Sequence, residues 1–196
     1  CDHAAAGQIL RLRDKLLKRS VLPATAEKEH DARTQRGDAY LALDRYDEAV
    51  AAYAQAQTAA PQDGRGHLAK GNVYYWQGKY DAAHAEYAAW VQAAPNDPAP
   101  HLMLGLLADE QGDTATALQR YQEAADLGPC DPAPYLMLGG SQTAAGDYAA
   151  AQQSYARALE VDPHNADALF AAAANDLLRG DFSGAAAKFG ELAHRW

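Results

Sequence analysis

The sequence predicts an all-α chain, an α-solenoid of about five helix–turn–helix repeats, on three observations. Pro61, Pro95, Pro129 and Pro163 stand 34 residues apart each time. Gly37, Gly71, Gly105 and Gly139 keep the same step, and Ala49, Ala83, Ala117, Ala151 and Ala185 keep it too. Tyr53, Tyr87, Tyr121 and Tyr155 do likewise, followed one period on by Phe189. A period carried by four residue types at fixed offsets marks an architecture in which each unit buries its apolar face against its neighbours.

Taken in chain order, the first element is an amphipathic segment over residues 4–20, with Ile9, Leu12, Leu16 and Leu17 towards one face and basic residues on the others. Pro23 ends it, so residues 1–29 stand apart from the repeats. Each repeat then offers two amphipathic segments separated by a breaker such as Gln77-Gly78-Lys79 or Gln111-Gly112-Asp113. Glycine at that point accepts the left-handed conformation that ends a first helix. The 34-spaced prolines end the second helix, because a helix cannot continue through a missing N–H. Asp97-Pro98 and Asp131-Pro132 restart it, with Asp as N-cap and Pro in the first turn. The glycines and alanines are expected to face each other across a close helix crossing, with the aromatics filling the next layer.

This pattern resembles the tetratricopeptide repeat, a helix–turn–helix unit of the same length with a small residue at its eighth position, alanine at the twentieth and proline at the thirty-second. The repeats read 30–63, 64–97, 98–131, 132–165 and 166–196. Departures are local: Ala173 stands at the eighth position of the fifth repeat, and Ala108, Gln142 and Asp176 occupy the often aromatic eleventh position. The resemblance implies a right-handed solenoid whose first helices line a concave, protein-binding face, and no catalytic activity.

Composition narrows the function further. Residues 1–20 hold five basic and two acidic side chains, +3; with a total of -9, the other 176 residues carry -12. An acidic body disfavours nucleic-acid phosphates, which need clustered Lys and Arg. No run approaches the roughly 20 apolar residues that span a bilayer. The two cysteines, Cys1 and Cys130, make neither a disulfide framework nor a four-cysteine zinc site.

No phosphate loop, nucleophile elbow, zinc-hydrolase signature or kinase motif set is present. His67 and His101 share the fourth position of successive repeats, a spacing that the repeat itself explains, and no metal site or cofactor is expected. Asp109-Glu110 and Asp47-Glu48 are adjacent, so on a helix they diverge by about 100° and read as solvated helix ends. Cys130 follows Pro129 in an inter-repeat turn without a neighbouring His or basic cluster, and reads as a free or partly buried thiol rather than a nucleophile. A Cys1–Cys130 bridge is the alternative, excluded if Cys1 carries lipid.

What remains is binding. On the face that the resemblance assigns to ligands stand Leu68, Asn72, Tyr75 and Trp76, then Leu102, Met103, Leu106 and Asp109. Leu136, Met137, Gly140 and Thr143 follow, then Phe170 and Leu177. Leucines at the fifth position and a lone Asn72 do not match the Lys/Asn clamp with which some relatives grip a peptide carboxylate. Aromatics with Leu and Met suit an apolar partner segment, and Trp76 is the leading anchor.

The ends add two expectations. Cys1 followed by Asp2 resembles the mature end of a bacterial lipoprotein, and a lipid there with the basic helix 9–19 would combine two membrane signals. The last segment presents Phe189, Leu192 and Trp196 near one face, an apolar edge open to a partner. The chain is thus expected to be a lipid-anchored scaffold on the periplasmic side of a bacterial envelope, similar to the repeat lipoproteins that help assemble pili or outer-membrane machinery. The alternative is a cytosolic adaptor that shields a client segment.

Overall fold

Helices form between the breakers that the sequence sets. The structure is a computed structural model describing residues 24–61 and 63–194, with side chains from residue 28. The 1–23 segment, Cys1 and Trp196 lie outside these residues. Ten helices and no strand occur among the described residues: α1 (Ala24–Leu41), α2 (Tyr46–Ala59), α3 (Arg65–Trp76), α4 (Tyr80–Ala93) and α5 (Pro98–Glu110). They continue with α6 (Thr114–Leu127), α7 (Pro132–Ala144), α8 (Tyr148–Val161), α9 (Ala166–Arg179) and α10 (Phe182–His194). This is an all-α helical repeat fold. None of these helices is long and apolar enough to cross a membrane.

The chain divides between Asn96 and Asp97 into two compact units. In the first, α1 packs on α2, α2 on α3 and α3 on α4; in the second, α5 to α10 pack in the same successive way, and α9 also meets α7. First helices end on glycine at positive φ, as the breakers require: Gly78, Gly112, Gly146 and Gly180 lie between 69° and 80°. In the first repeat Asp44 takes that place at φ 57°, a conformation that Asp tolerates better than most residues. Second helices stop two residues before each 34-spaced proline. Asp97 and Asp131 accept hydrogen bonds from the N–H groups of Ala99 and Ala133, with Pro98 and Pro132 in the first turn.

The packing at the glycines differs from the expected glycine–alanine crossing. It is the tyrosine ring that lies on each glycine: a Cβ at Gly105 would sit 2.5 Å from Tyr121 Cε1, and Gly37, Gly71 and Gly139 meet Tyr53, Tyr87 and Tyr155 in the same way. The alanines at the twentieth position are fully buried beside them. Only a residue without a side chain lets an aromatic ring approach the helix backbone so closely.

Each tyrosine then needs a partner for its hydroxyl, because a buried unsatisfied O–H is costly. Tyr53 donates to Asp38 (2.7 Å), Tyr87 to Asn72 (2.8 Å) and Tyr121 to Asp109 (2.9 Å), while Tyr155 pairs with Thr143 (3.1 Å). Burial pushes the Tyr87 hydroxyl up to about 12 and, with Asp38, raises Tyr53 as well. The fifth repeat has neither hydroxyl nor glycine; Phe189 instead packs edge-on against Phe170, with centroids 5.7 Å apart.

Candidate functional site

In the second unit the first helices of three repeats, α5, α7 and α9, border an open groove of about 570 Å³. That volume lies within the roughly 300–1,000 Å³ of ligand pockets. Its apolar surface comes from Leu106, Leu136, Met137, Phe170 and Ala171, and its polar surface from Asp109, Glu110, Ser141 and Asp167. Tyr121 and Tyr155, from the second helices, form part of its lining.

The repeat dictates this arrangement. On each first helix the residues facing the second helix are small or packed on tyrosine, so the neighbouring positions on the far side carry the exposed apolar groups. Phe170 is 59% exposed although it is large and aromatic. Gly140 is exposed, and a Cβ there would meet no atom within 4 Å, which leaves a bare stretch of backbone in the lining. Asp109 is fixed in orientation, accepting hydrogen bonds from Tyr121 and from Ser141 Oγ at 2.5 Å. The Asp109-Glu110 pair is an exposed helix end, as expected, and Asp109 in addition anchors two buried hydroxyls beside the groove.

The anticipated binding residues separate into three groups. Leu106, Asp109, Leu136 and Phe170 line the groove together with Met137 and Gly140. Leu102 is partly buried and packs on the Ala108–Tyr121–Leu138 cluster, so it serves the core. The remaining four lie on α3 in the first unit. There Leu68 is half-buried, Asn72 is held by the Tyr87 hydroxyl, and the half-buried Tyr75 stacks at a tilt on Tyr80, centroids 5.9 Å apart. Trp76 stands 62% exposed. Beyond the groove, Thr143 is occupied by Tyr155, and Leu177 is exposed outside the lining. Glu110 was read from the sequence only as a solvated helix end, and Ser141, Asp167 and Ala171 were not singled out; their signal is their place one residue from, or one turn along from, the leucine and phenylalanine positions.

His67 and His101, the pair at the repeat's fourth position, have structural partners. His67 Nδ1 lies 2.9 Å from Glu86, which also takes Lys70 Nζ at 2.8 Å, and Gln57 closes the group. His101 Nδ1 meets Glu123 at 2.8 Å. Burial opposes ionisation of Glu123, but hydrogen bonds from Gln119, His101 and Arg120 outweigh it and hold the carboxyl below its ordinary range. Among the described residues no group of three His, Cys, Asp or Glu side chains could hold a metal ion. Cys130 is exposed in the turn between α6 and α7 and is not a free thiol, which corrects the expectation from sequence.

Comparison with known proteins returns the same architecture. No curated protein matches the sequence. Among solved structures, PilF of Pseudomonas aeruginosa superposes with a TM-score of 0.75 at 19% identity, over 87% of this chain and 78% of its own. MamA from Desulfovibrio magneticus RS-1 gives 0.69 at 15% identity over 85% and 94%. YrrB, a tetratricopeptide-repeat protein with an unusual peptide-binding site, gives 0.60 at 19% identity over 89% and 87%. At such identities the likeness shows a shared fold. The tetratricopeptide repeat family model itself matches residues 34–98 and 136–196. The chain therefore belongs to the tetratricopeptide repeat family, whose members typically act as non-enzymatic protein-interaction scaffolds.

Proposed function

We propose that this chain is a scaffold that holds an apolar segment of a protein partner in the groove between α5, α7 and α9. The observation that carries this reading is the groove itself: an open cleft of about 570 Å³ bordered by three successive repeats, with Phe170 exposed among Leu106, Leu136 and Met137. Burying such side chains against a partner contributes about 1.5–3 kcal/mol each. The wider setting is attachment to a bacterial membrane as a subunit or assembly factor of an envelope complex. The five basic residues between 11 and 19 support this setting through attraction to anionic lipid.

Affinity capture from detergent-solubilised native membranes tests both parts, comparing wild type with Gly140→Trp, which fills the cleft. A stoichiometric protein captured by wild type and lost in Gly140→Trp is the expected result. Equal capture by both would defeat the groove as the binding site. The mass of the native peptide that contains Cys1 tests the attachment: a diacylglyceryl adduct would establish a lipid anchor and exclude a bridge from Cys1 to Cys130. An unmodified thiol or a Cys1–Cys130 disulfide, with recovery in the soluble fraction, would leave the cytosolic adaptor as the better account.

A further inference from the structure

The groove carries charge of one sign. Asp109 and Glu110 are the last two residues of α5, and Asp167 lies in the first turn of α9. No lysine or arginine lines the cleft, and none of these three carboxylates has an ion-pair partner among the described residues. Three carboxylates elsewhere are matched by a cation: Glu86 by Lys70, Glu123 by Arg120 and Asp176 by Lys188. The placement of Asp109 and Glu110 is also unfavourable in isolation, since the C-terminal end of a helix carries partial negative charge and disfavours carboxylates. Asp109 is nevertheless held in a fixed orientation by Tyr121 and Ser141. The free protein thus bears an uncompensated negative rim around an apolar floor.

We infer that the partner segment is positively charged: an amphipathic stretch whose large apolar side chains cover Leu136 and Phe170 while lysines or arginines meet Asp109, Glu110 and Asp167. The inference rests on the groove being the binding site and adds the sign of the ligand. A basic segment gains from the rim, whereas an acidic one of equal hydrophobicity would bury like charges together.

The test uses two labelled peptides of about 18 residues that differ only in charge. One carries leucine and lysine on opposite faces of a helix; in its twin every lysine is glutamate. Fluorescence anisotropy is read with the full chain as wild type, as Glu110→Gln/Asp167→Asn, and as Gly140→Trp, each first checked for an unchanged helical spectrum and melting curve. Expected is binding of the lysine peptide alone, weakened by added salt, roughly tenfold weaker in the double variant and lost in Gly140→Trp. Equal binding of both peptides would overturn the charge inference and leave the apolar groove standing. Retention of the lysine peptide by Gly140→Trp would place its site elsewhere and overturn the inference as well. Binding of neither peptide would remove the groove reading together with the inference built on it.

Discussion

Five positions spaced 34 residues apart precede the second helix of each repeat, and the two units fill them oppositely. The first unit has Arg45 and Lys79, neither of which caps its helix. The second has Asp113, Asp147 and Asp181, which accept hydrogen bonds from the N–H groups of Thr116, Ala150 and Gly184. A second register, inside the first helices, shows the same contrast. It holds an exposed Arg36 and Lys70, the latter buried against Glu86, in the first unit, but Leu104, Leu138 and Ala172 in the second. Glycine, alanine and tyrosine at the helix crossing are common to both units. The difference teaches that the crossing fixes the fold, while the caps and inner slots are free to vary. The second unit used that freedom for satisfied helix ends and apolar core residues; the first used it for a buried lysine pair and basic helix starts.

Replacing a crossing glycine gives the largest expected effect and should strike both units alike. Gly105→Leu is expected to destabilise by about 3 kcal/mol, because the side chain must displace the Tyr121 ring. Thermal unfolding checks it, and an unchanged melting temperature would remove the crossing as the shared determinant.

The buried Lys70–Glu86 pair is the next largest, and in the register of Lys70 the second unit has no charged residue. Glu86→Gln leaves Lys70 without its counter-charge at a site where the lysine is 8% exposed, and is expected to cost about 2 kcal/mol. Hydrogen exchange should show the loss in α3 and α4. Restoration by a second change, Lys70→Met, would show that the slot accepts the apolar solution of the other unit.

Exchanging the caps sharpens the comparison further. Lys79→Asp is expected to stabilise the first unit, and Asp113→Ala to destabilise the second by a smaller amount than the buried pair does. Denaturant midpoints would measure both, and a null result for Lys79→Asp would mean that the local backbone does not admit the cap.

Acid gives the smallest and most distributed effect. Hydrogen bonds from Thr116 hold the Asp113 carboxyl below its ordinary range, and those from the Gly184 N–H and then Ser183 lower Asp181. A carboxyl with a lowered folded-state pKa contributes its full stabilisation above the unfolded value near 4; the contribution is lost as pH falls through the folded value. Melting followed from pH 5 to pH 2 should therefore decline less steeply in Asp113→Ala than in wild type.

Much of this was legible without coordinates. The glycine breakers, the prolines two residues beyond each second helix and the Asp-Pro starts are local chemistry, set by φ preferences and missing donors within a few residues. The partner of the eighth-position glycines was read less well. Alanine and tyrosine both recur at the right period, and period alone cannot say which side chain crosses the glycine. The groove was legible as a set of exposed leucine, methionine and phenylalanine positions. Of its carboxylates, Asp109 already stood on the binding face, but Glu110 looked like any solvated helix end, and Asp167 becomes their neighbour only when α9 packs against α7.

The sequence by itself determined the repeat period, the helix boundaries and the class of interaction scaffold, because each follows from residues close together along the chain. Only the tertiary structure decided which aromatic covers which glycine, where the tyrosine hydroxyls find acceptors, and which acidic residues gather around one apolar cleft. Those outcomes depend on distances between side chains about 12 to 60 residues apart, which packing sets and local preference does not.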